Sequence, residues 1–471
     1  MSITQCILQF KLITEKSREV VTSFAGLPLA IETMKAMKIP ELIAKNLKIK
    51  KRETGKYSES DYIESLLSLF ISGGECIDDI ERLRSDEGLK ELGLKVPSAE
   101  SARFFLYGFH DEEIIKQKRG RIKKNAFVPE ETVQLKGLEK TKKAYILRAT
   151  RRLSPQIATI DQDPTVIPSN KEEALPTYLG HDGYQPLINY WAEEDLILAD
   201  EFRDGNVPAS FDCYTSLYRS VEMLPDSVRE VRVRTDSAGL NYEGFIDRLE
   251  EGFKVRGRHI KVYYAISCDM VDALKKEIER LPDEAWKPLR KITEKGLEEG
   301  RKEWAEVEYI PTKGKGAYRY LAIRVRPSQG ELFRDGNRYH YHAVVTNMWH
   351  WDGERLLRWH RERCGTVEKV HDFLKNDLAG GVMPCGKFYA NAAWWRLNCL
   401  AYNIISVMKK KALPESWWSY RMKAIRYWLI GVSGRVIKRS RQVYLRFFGA
   451  EWVCEIYCNA RKRLYELSLV T

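Results

Sequence analysis

No stretch of the 471-residue chain approaches the ~18 uncharged apolar residues that a membrane-spanning helix needs. The opening residues, MSITQCILQFKLITEK, lack the basic lead and small-residue cleavage site of a secretory signal. A cytoplasmic protein without a membrane partner is therefore expected. The nine cysteines are odd in number, scattered, and include no Cys-x-x-Cys, which argues against a disulfide framework or a zinc cage. His340, His342, His350, His360 and His371 crowd one third of the chain, yet no ligand series with zinc spacing accompanies them. No glycine-rich phosphate loop of the Walker or dinucleotide type is present, so no nucleotide cofactor is expected. Serine or cysteine nucleophile motifs, internal repeats and low-complexity tracts are missing too. With 44% hydrophobic and 31% charged residues, collagen-like, mucin-like and wholly disordered readings are excluded.

What is present begins with size and charge. A chain this long accommodates about three domains at roughly 150 residues each. Its formal net charge of +12 favours a polyanionic partner. Residues 1–115 read as helices: Ile63, Leu66, Leu67 and Phe70 follow Ser58, Gly73-Gly74 breaks the pattern, and Ile77, Ile80 and Leu83 resume it. Helix, glycine turn and helix beside the basic stretch Lys48 to Arg52 suggest a DNA-binding region. Residues 116–150, with the run KQKRGRIKK and then LEKTKK, read as a basic linker or an arm along phosphates. Strand signals follow in 151–245, at Gln156 to Asp163, Leu196 to Phe202 and Val231 to Asp236, with helical segments between them. This is an α/β pattern. Across 246–350 the strand-like runs Ile260 to Ile266, Ala305 to Ile310, Tyr318 to Val325 and Arg338 to Val345 surround an expected helix over 270–303. Residues 351–405 return to helix. So does the C-terminal region 406–471, apart from a basic, strand-like patch at 434–447. Trp394, Trp395, Trp417, Trp418 and Trp428 lie in apolar helical segments and read as core.

Period-two geometry puts Asp161 and Asp163 on one face of their strand, and gives Asp236 the same face as Arg232 and Arg234. Each acid closes its strand, where ligands of α/β folds usually bind. A third acid comes from WHRERCGTVEKVHDFLKNDLAGG, residues 359–381, in which Cys364, Val367, Val370, His371 and Leu374 recur at helical spacing. Glu368 shares a helix face with His371 and Lys375. Arg363, five positions before Glu368, lies about 140° away on an ideal helix. It reaches Glu368's side only if Gly365 permits a bulge or a later helix start.

The order Asp163-Pro-Thr165, Arg234-Thr-Asp236-Ser237 and Arg363…Glu368…Lys375 resembles the DDE transposases of bacterial insertion sequences. Within them it resembles the cut-and-paste group, whose RNase H-like core carries a β-rich insertion before the last acid and a Tyr-Arg-Glu-Lys signature on the last catalytic helix. The likeness spans about 155–405, including DEFRDGNVPAS and YHAVVTN. His360 stands where the signature has Tyr. The resemblance implies an RNase H-like core in two parts, 151–245 and 351–405, interrupted by the insertion 246–350. It implies that Asp163, Asp236 and Glu368 are catalytic and together hold two Mg²⁺ or Mn²⁺ ions; Asp161 stays open as an alternative first ligand. Lys375 and Arg363 would be catalytic cations on phosphate, with His360 beside them on DNA. Terminal inverted repeats and target DNA are the implied partners, at least a dimer on DNA the implied assembly, and a bacterial, nucleoid-associated location the implied setting. Three carboxylates suit this chemistry independently, because two hard cations can activate the attacking hydroxyl and stabilise the leaving oxygen of a phosphodiester.

Two further readings concern DNA. Tyr318, Arg324 and Arg326 alternate with Leu321, Ile323 and Val325, so an aromatic and basic strand face for stacked bases and phosphates is expected. Trp304 and Trp349 are candidates for stacking a flipped base, as happens in the resembled group. The competing functions are an RNase H-like nuclease or resolvase without strand transfer, and a transposase-derived DNA-binding protein whose acids are unused.

Overall fold

Strands rich in β-branched residues, most of them buried on both faces, form the centre of the computed structural model, which describes residues 2–3, 12–13, 19–49, 55–121, 128–293, 296–316, 318–326 and 339–470. The main strands are β1 (Ile157–Pro164), β2 (Leu187–Trp191), β3 (Leu196–Glu201), β4 (Glu230–Thr235), β5 (Arg258–Cys268), β6 (Lys302–Val307), β7 (Arg319–Val325) and β8 (His340–Thr346). They lie in one sheet in the order β6-β7-β8-β5-β4-β1-β2-β3. β4 runs parallel to both β1 and β5, whereas β2 is antiparallel to its neighbours. Five strands in the order 3-2-1-4-5 with only the second reversed make the expected RNase H-like α/β core. Because parallel neighbours need crossovers, both faces of this part are covered, and that is why β1 is buried along nearly its whole length.

The region 246–350 departs from its sequence reading in two ways. β5 pairs with β4 and so belongs to the core, and β6, β7 and β8 continue the same sheet by antiparallel pairing. The helix expected over 270–303 shortens to Asp272–Glu279, since Pro282 and Pro288 cannot continue it and the chain pairs as strands at 287–288. The expected basic stretch Lys48 to Arg52, the end of the run 116–124 and Arg338 lie wholly or partly outside the described residues.

Among the helices of the described residues are α1 (Leu27–Ala36), α2 (Ile39–Asn46), α3 (Glu59–Ser72), α4 (Ala99–Tyr107), α5 (Val133–Ala149), α6 (Cys213–Val221), α7 (Gly353–Glu362), α8 (Val367–Asp372), α9 (Phe388–Lys411) and α10 (Glu451–Ser468). Local signals set several boundaries. Ser58 and Asp61 cap α3 reciprocally, and Gly73 ends it with φ of 100°. The long α9 is buried on nearly every side between β3 and the N-terminal helices, with Phe70 edge-on to Trp394 at 4.6 Å. Its Asn403 accepts from Ile197 N (2.8 Å) and donates to Ile197 O (2.9 Å), satisfying backbone groups at the sheet edge. α1 packs against α9 and α10, and a short strand Val21–Thr22 pairs with β9 (Gly434–Arg439), the first strand of a hairpin completed by β10 (Gln442–Phe447). The two terminal regions therefore interlock.

The segment LEKTKK, expected as an exposed connection, lies within α5. Leu135, Leu138, Tyr145 and Ile146 recur at helical spacing and are buried, and Lys142 is carried into the interior against Asp200. The apolar period outweighed the charge count. No helix among the described residues is long and apolar enough to cross a membrane.

Candidate active site

The parallel register of β1 and β4 sets the site. Thr235 pairs with Gln162, so Asp236 and Asp163 follow one step further on two adjacent strands, at their carboxyl ends. Two residues earlier on the same face, Arg234 lies opposite Asp161. Its guanidinium donates to both Asp161 oxygens, at 2.6 and 2.9 Å, and a third bond comes from the Thr366 hydroxyl at 2.6 Å. Arg234 also donates to Trp359 O (2.7 Å) and Glu362 (3.2 Å), tying β4 to α7. Asp161 is thus a fully buried ion-pair partner. Asp163, next along the face, is buried as well but keeps 9% of its surface, and Asp236 is half-buried.

α7 and α8 close over this end of the sheet. One continuous helix is expected across 359–381, but α7 stops at Glu362, a tight turn occupies Arg363–Gly365, and α8 restarts at Val367. That break at Gly365 turns Arg363 inward, where it donates to Asp163 Oδ1 at 2.7 Å. His371 Nε2 lies 3.2 Å from Asp163 Oδ2, an ion pair when the ring is protonated. Lys375 donates to Val166 O at 2.9 Å; burial lowers its pKa and the nearby Asp163 carboxylate opposes that shift. Gly381 allows the chain to fold back on this lysine, since a Cβ there would meet Lys375 O at 2.7 Å. Glu368, three residues before His371 on α8, is exposed and makes no ion pair among the described residues.

The residues named from the sequence fall into three groups. Asp163, Asp236, Arg363 and Lys375 converge, with Glu368 on the adjoining helix turn. Among the described residues no three His, Cys, Asp or Glu are gathered as a ready metal cage. The donors are nonetheless hard oxygens at neighbouring strand ends, the kind that Mg²⁺ or Mn²⁺ take, and occupancy would require Arg363 and His371 to release Asp163. His360 is a correction. It faces the interior beside Leu356 and Leu357, its Nε2 lies 3.0 Å from the Ser267 hydroxyl, and burial together with Arg363 and Arg234 pushes its pKa down to about 3. It cannot lie on DNA from there.

The expected aromatic and basic face of β7 is a second correction. Tyr318 is buried and hydrogen-bonds to Asp247, while Arg324 is held by Glu303 and Asp283, both at 2.7 Å, with its guanidinium 4.5 Å from the Trp286 ring centroid. Only Arg326 is exposed, and it pairs with Glu303 at 2.6 Å. β7 is buried on both faces along nearly its whole length, which period-two alternation does not reveal. Trp304 is likewise core, whereas Trp349 is 62% exposed. The contacts missed from sequence are His371 and Thr366 on the two aspartates. Their signal was the three-residue step from Glu368 to His371 on the face of one helix.

Three comparisons bear on kinship. A cryo-EM structure described as a piggyBac transposase synaptic complex with hairpin DNA is 11% identical, with 95% of this chain and 84% of that chain covered and a TM-score of 0.44. No curated protein matches the chain in sequence. The family model for the transposase DDE domain group 1 matches residues 11–469, nearly the whole length, and the chain belongs to that family of transposases.

Proposed function

We propose that the protein binds the terminal inverted repeats of a bacterial insertion sequence, cleaves DNA at the element's ends and joins the freed 3′-hydroxyls to target DNA, acting as at least a dimer on DNA. The observation that supports this most is the pairing register of β1 and β4, with Asp163 and Asp236 at adjacent strand ends, beside α8 bearing Glu368 and the turn after it bearing Lys375. Asp163, Asp236 and Glu368 would hold two Mg²⁺ or Mn²⁺ ions, which stabilise the charge that develops on the attacking and leaving oxygens. Arg363 pairs with Asp163 beforehand, with the His371 ring beside the same carboxylate, and its guanidinium could exchange that carboxylate for a phosphate oxygen. Lys375, half-buried and bonded to Val166 O, supplies a fixed ammonium for a phosphate beside the scissile bond. A transposase-derived DNA-binding protein with unused acids is the second reading, favoured by the cationic partners already on Asp163.

Excision in cells separates the two. With the native flanking DNA as donor, wild type should yield resealed donor junctions that reveal both repeats, and Glu368→Ala should yield none while still binding the ends. Absence of junctions from either protein, with expression and end binding intact, would favour the unused-site reading.

A further inference from the structure

The positive charge is concentrated rather than spread. From Lys409 to Ala450 there are eleven Lys and Arg against the single acid Glu415, so this segment carries +10 of the chain's +12. It begins beside the candidate active site, where Arg421 and Lys423 share a cavity of about 590 Å³ with Lys375. It also exposes aromatics that the sequence reading placed in the core: Trp418 is 41% and Trp428 43% accessible.

The hairpin of β9 and β10 is the outermost part of this segment. At its base, Val21–Thr22 pairs with Gly434 and Arg435, and beyond that the ribbon has no further strand partner among the described residues. Arg435, Ile437 and Arg439 share a face with Gln442, Tyr444 and Arg446, and Arg435 sits directly opposite Arg446. Arg435 is answered by Glu19 at 2.9 Å, so the Arg446 guanidinium across from it is the one of the pair left without an acid among the described residues. The tip adds to this. Ser440 and Arg441 form a two-residue turn with φ of 51° and 62°, a conformation that glycine or asparagine normally supplies. Arg439, Arg441 and Arg446 make no ion pair among the described residues. Lys438 at the same end is held by Glu91, so three unanswered arginines and a sterically disfavoured tip are what the packing of the described residues does not account for. A polyanion would supply partners for these three guanidinium groups, and the major groove of duplex DNA admits a two-stranded ribbon.

We propose that the ribbon Gly434–Phe447 is a DNA-contacting finger that enters a groove of the duplex leading away from the candidate active site, with Arg439, Arg441 and Arg446 on phosphates. The inference rests on the DNA-binding reading above.

The test is a titration of full-length protein with a labelled duplex carrying the native element end. Arg439→Ala/Arg441→Ala/Arg446→Ala should weaken binding about tenfold or more and make the log–log salt slope shallower by roughly two to three. Arg103→Ala/Arg256→Ala/Arg280→Ala, removing equal charge elsewhere, should leave affinity nearly unchanged. A photo-crosslinking residue at position 444 should capture the duplex, and one at the more accessible Tyr178 should not, a result that stands even if the triple variant folds poorly. Equal loss in both triple variants, or no crosslink from position 444, would overturn the finger while sparing DNA binding. Failure of the wild type to bind any duplex would overturn both readings. Ribbon-dependent binding to anionic phospholipid vesicles, with DNA affinity unaltered, would assign the ribbon to a membrane surface instead.

Discussion

Two clusters of buried charge flank the central sheet, and they differ in how completely their charges are paired. In the first, Arg396 bonds to Asp200 and Glu131, both at 2.8 Å, Lys142 is sealed against Asp200, and Arg219 bridges Glu131 and Glu139. Arg203 completes it on Glu201 at 2.6 Å. This cluster joins α5 and α9 to the end of β3, the segment DEFRDG, and its cations and acids largely answer one another. The second, at the ends of β1 and β4, is graded: Asp161 is fully enclosed, Asp163 is buried under Arg363 and His371 but keeps slightly more exposure, and Glu368 faces solvent. Charges matched in a sealed interior hold elements in register; charges matched at a rim can change partner.

Breaking each cluster should give unlike results. Asp163→Ala is expected to reduce strand cleavage by about 10³-fold or more while end binding persists, as single-turnover assays on a labelled end would show. Loss of binding in step with cleavage would make this cluster structural as well. Arg396→Ala should instead cost about 3–5 kcal/mol in chemical denaturation, because Asp200 and Glu131 lose their shared partner in the interior. A destabilisation under 1 kcal/mol would mean that water readily replaces the guanidinium.

Smaller effects sharpen the contrast. His360 has a pKa pushed down to about 3, against an unfolded value near 6.5, so the unfolded chain takes up a proton that the folded protein refuses. Its contribution to stability is complete above about pH 6.5 and should fall by about 2 kcal/mol by pH 5, continuing towards pH 3. His360→Gln should flatten the stability profile in that window; an unchanged slope would show the ring to be solvated. Tyr318→Phe removes a buried hydroxyl bonded to Asp247 and should cost about 1 kcal/mol without altering DNA affinity. A drop in affinity would restore the expected role of β7 on DNA.

The α/β core was legible because its cues are local: β-branched runs with acids at their ends, serine caps, glycine stops and the spacing of Val367, Val370, His371 and Leu374 all act within one or two turns of chain, whereas Cys364 falls in the turn before that helix and is exposed. The choice between Asp161 and Asp163 was not local. It turns on Arg234 lying one strand away in parallel register, which leaves Asp161 saturated and Asp163 nearer the surface. The same holds for His360, Tyr318 and Arg324, whose spacing suits an exposed face but whose elements are covered on both sides by segments distant in sequence. Net charge was visible in composition, and its concentration in 409–450 could be counted along the chain. Composition and periodicity report what each segment can bury or pair, whereas partners of a buried charge are supplied by strands and helices tens to hundreds of residues away, so only tertiary packing decides which charges are sealed and which can still meet another molecule.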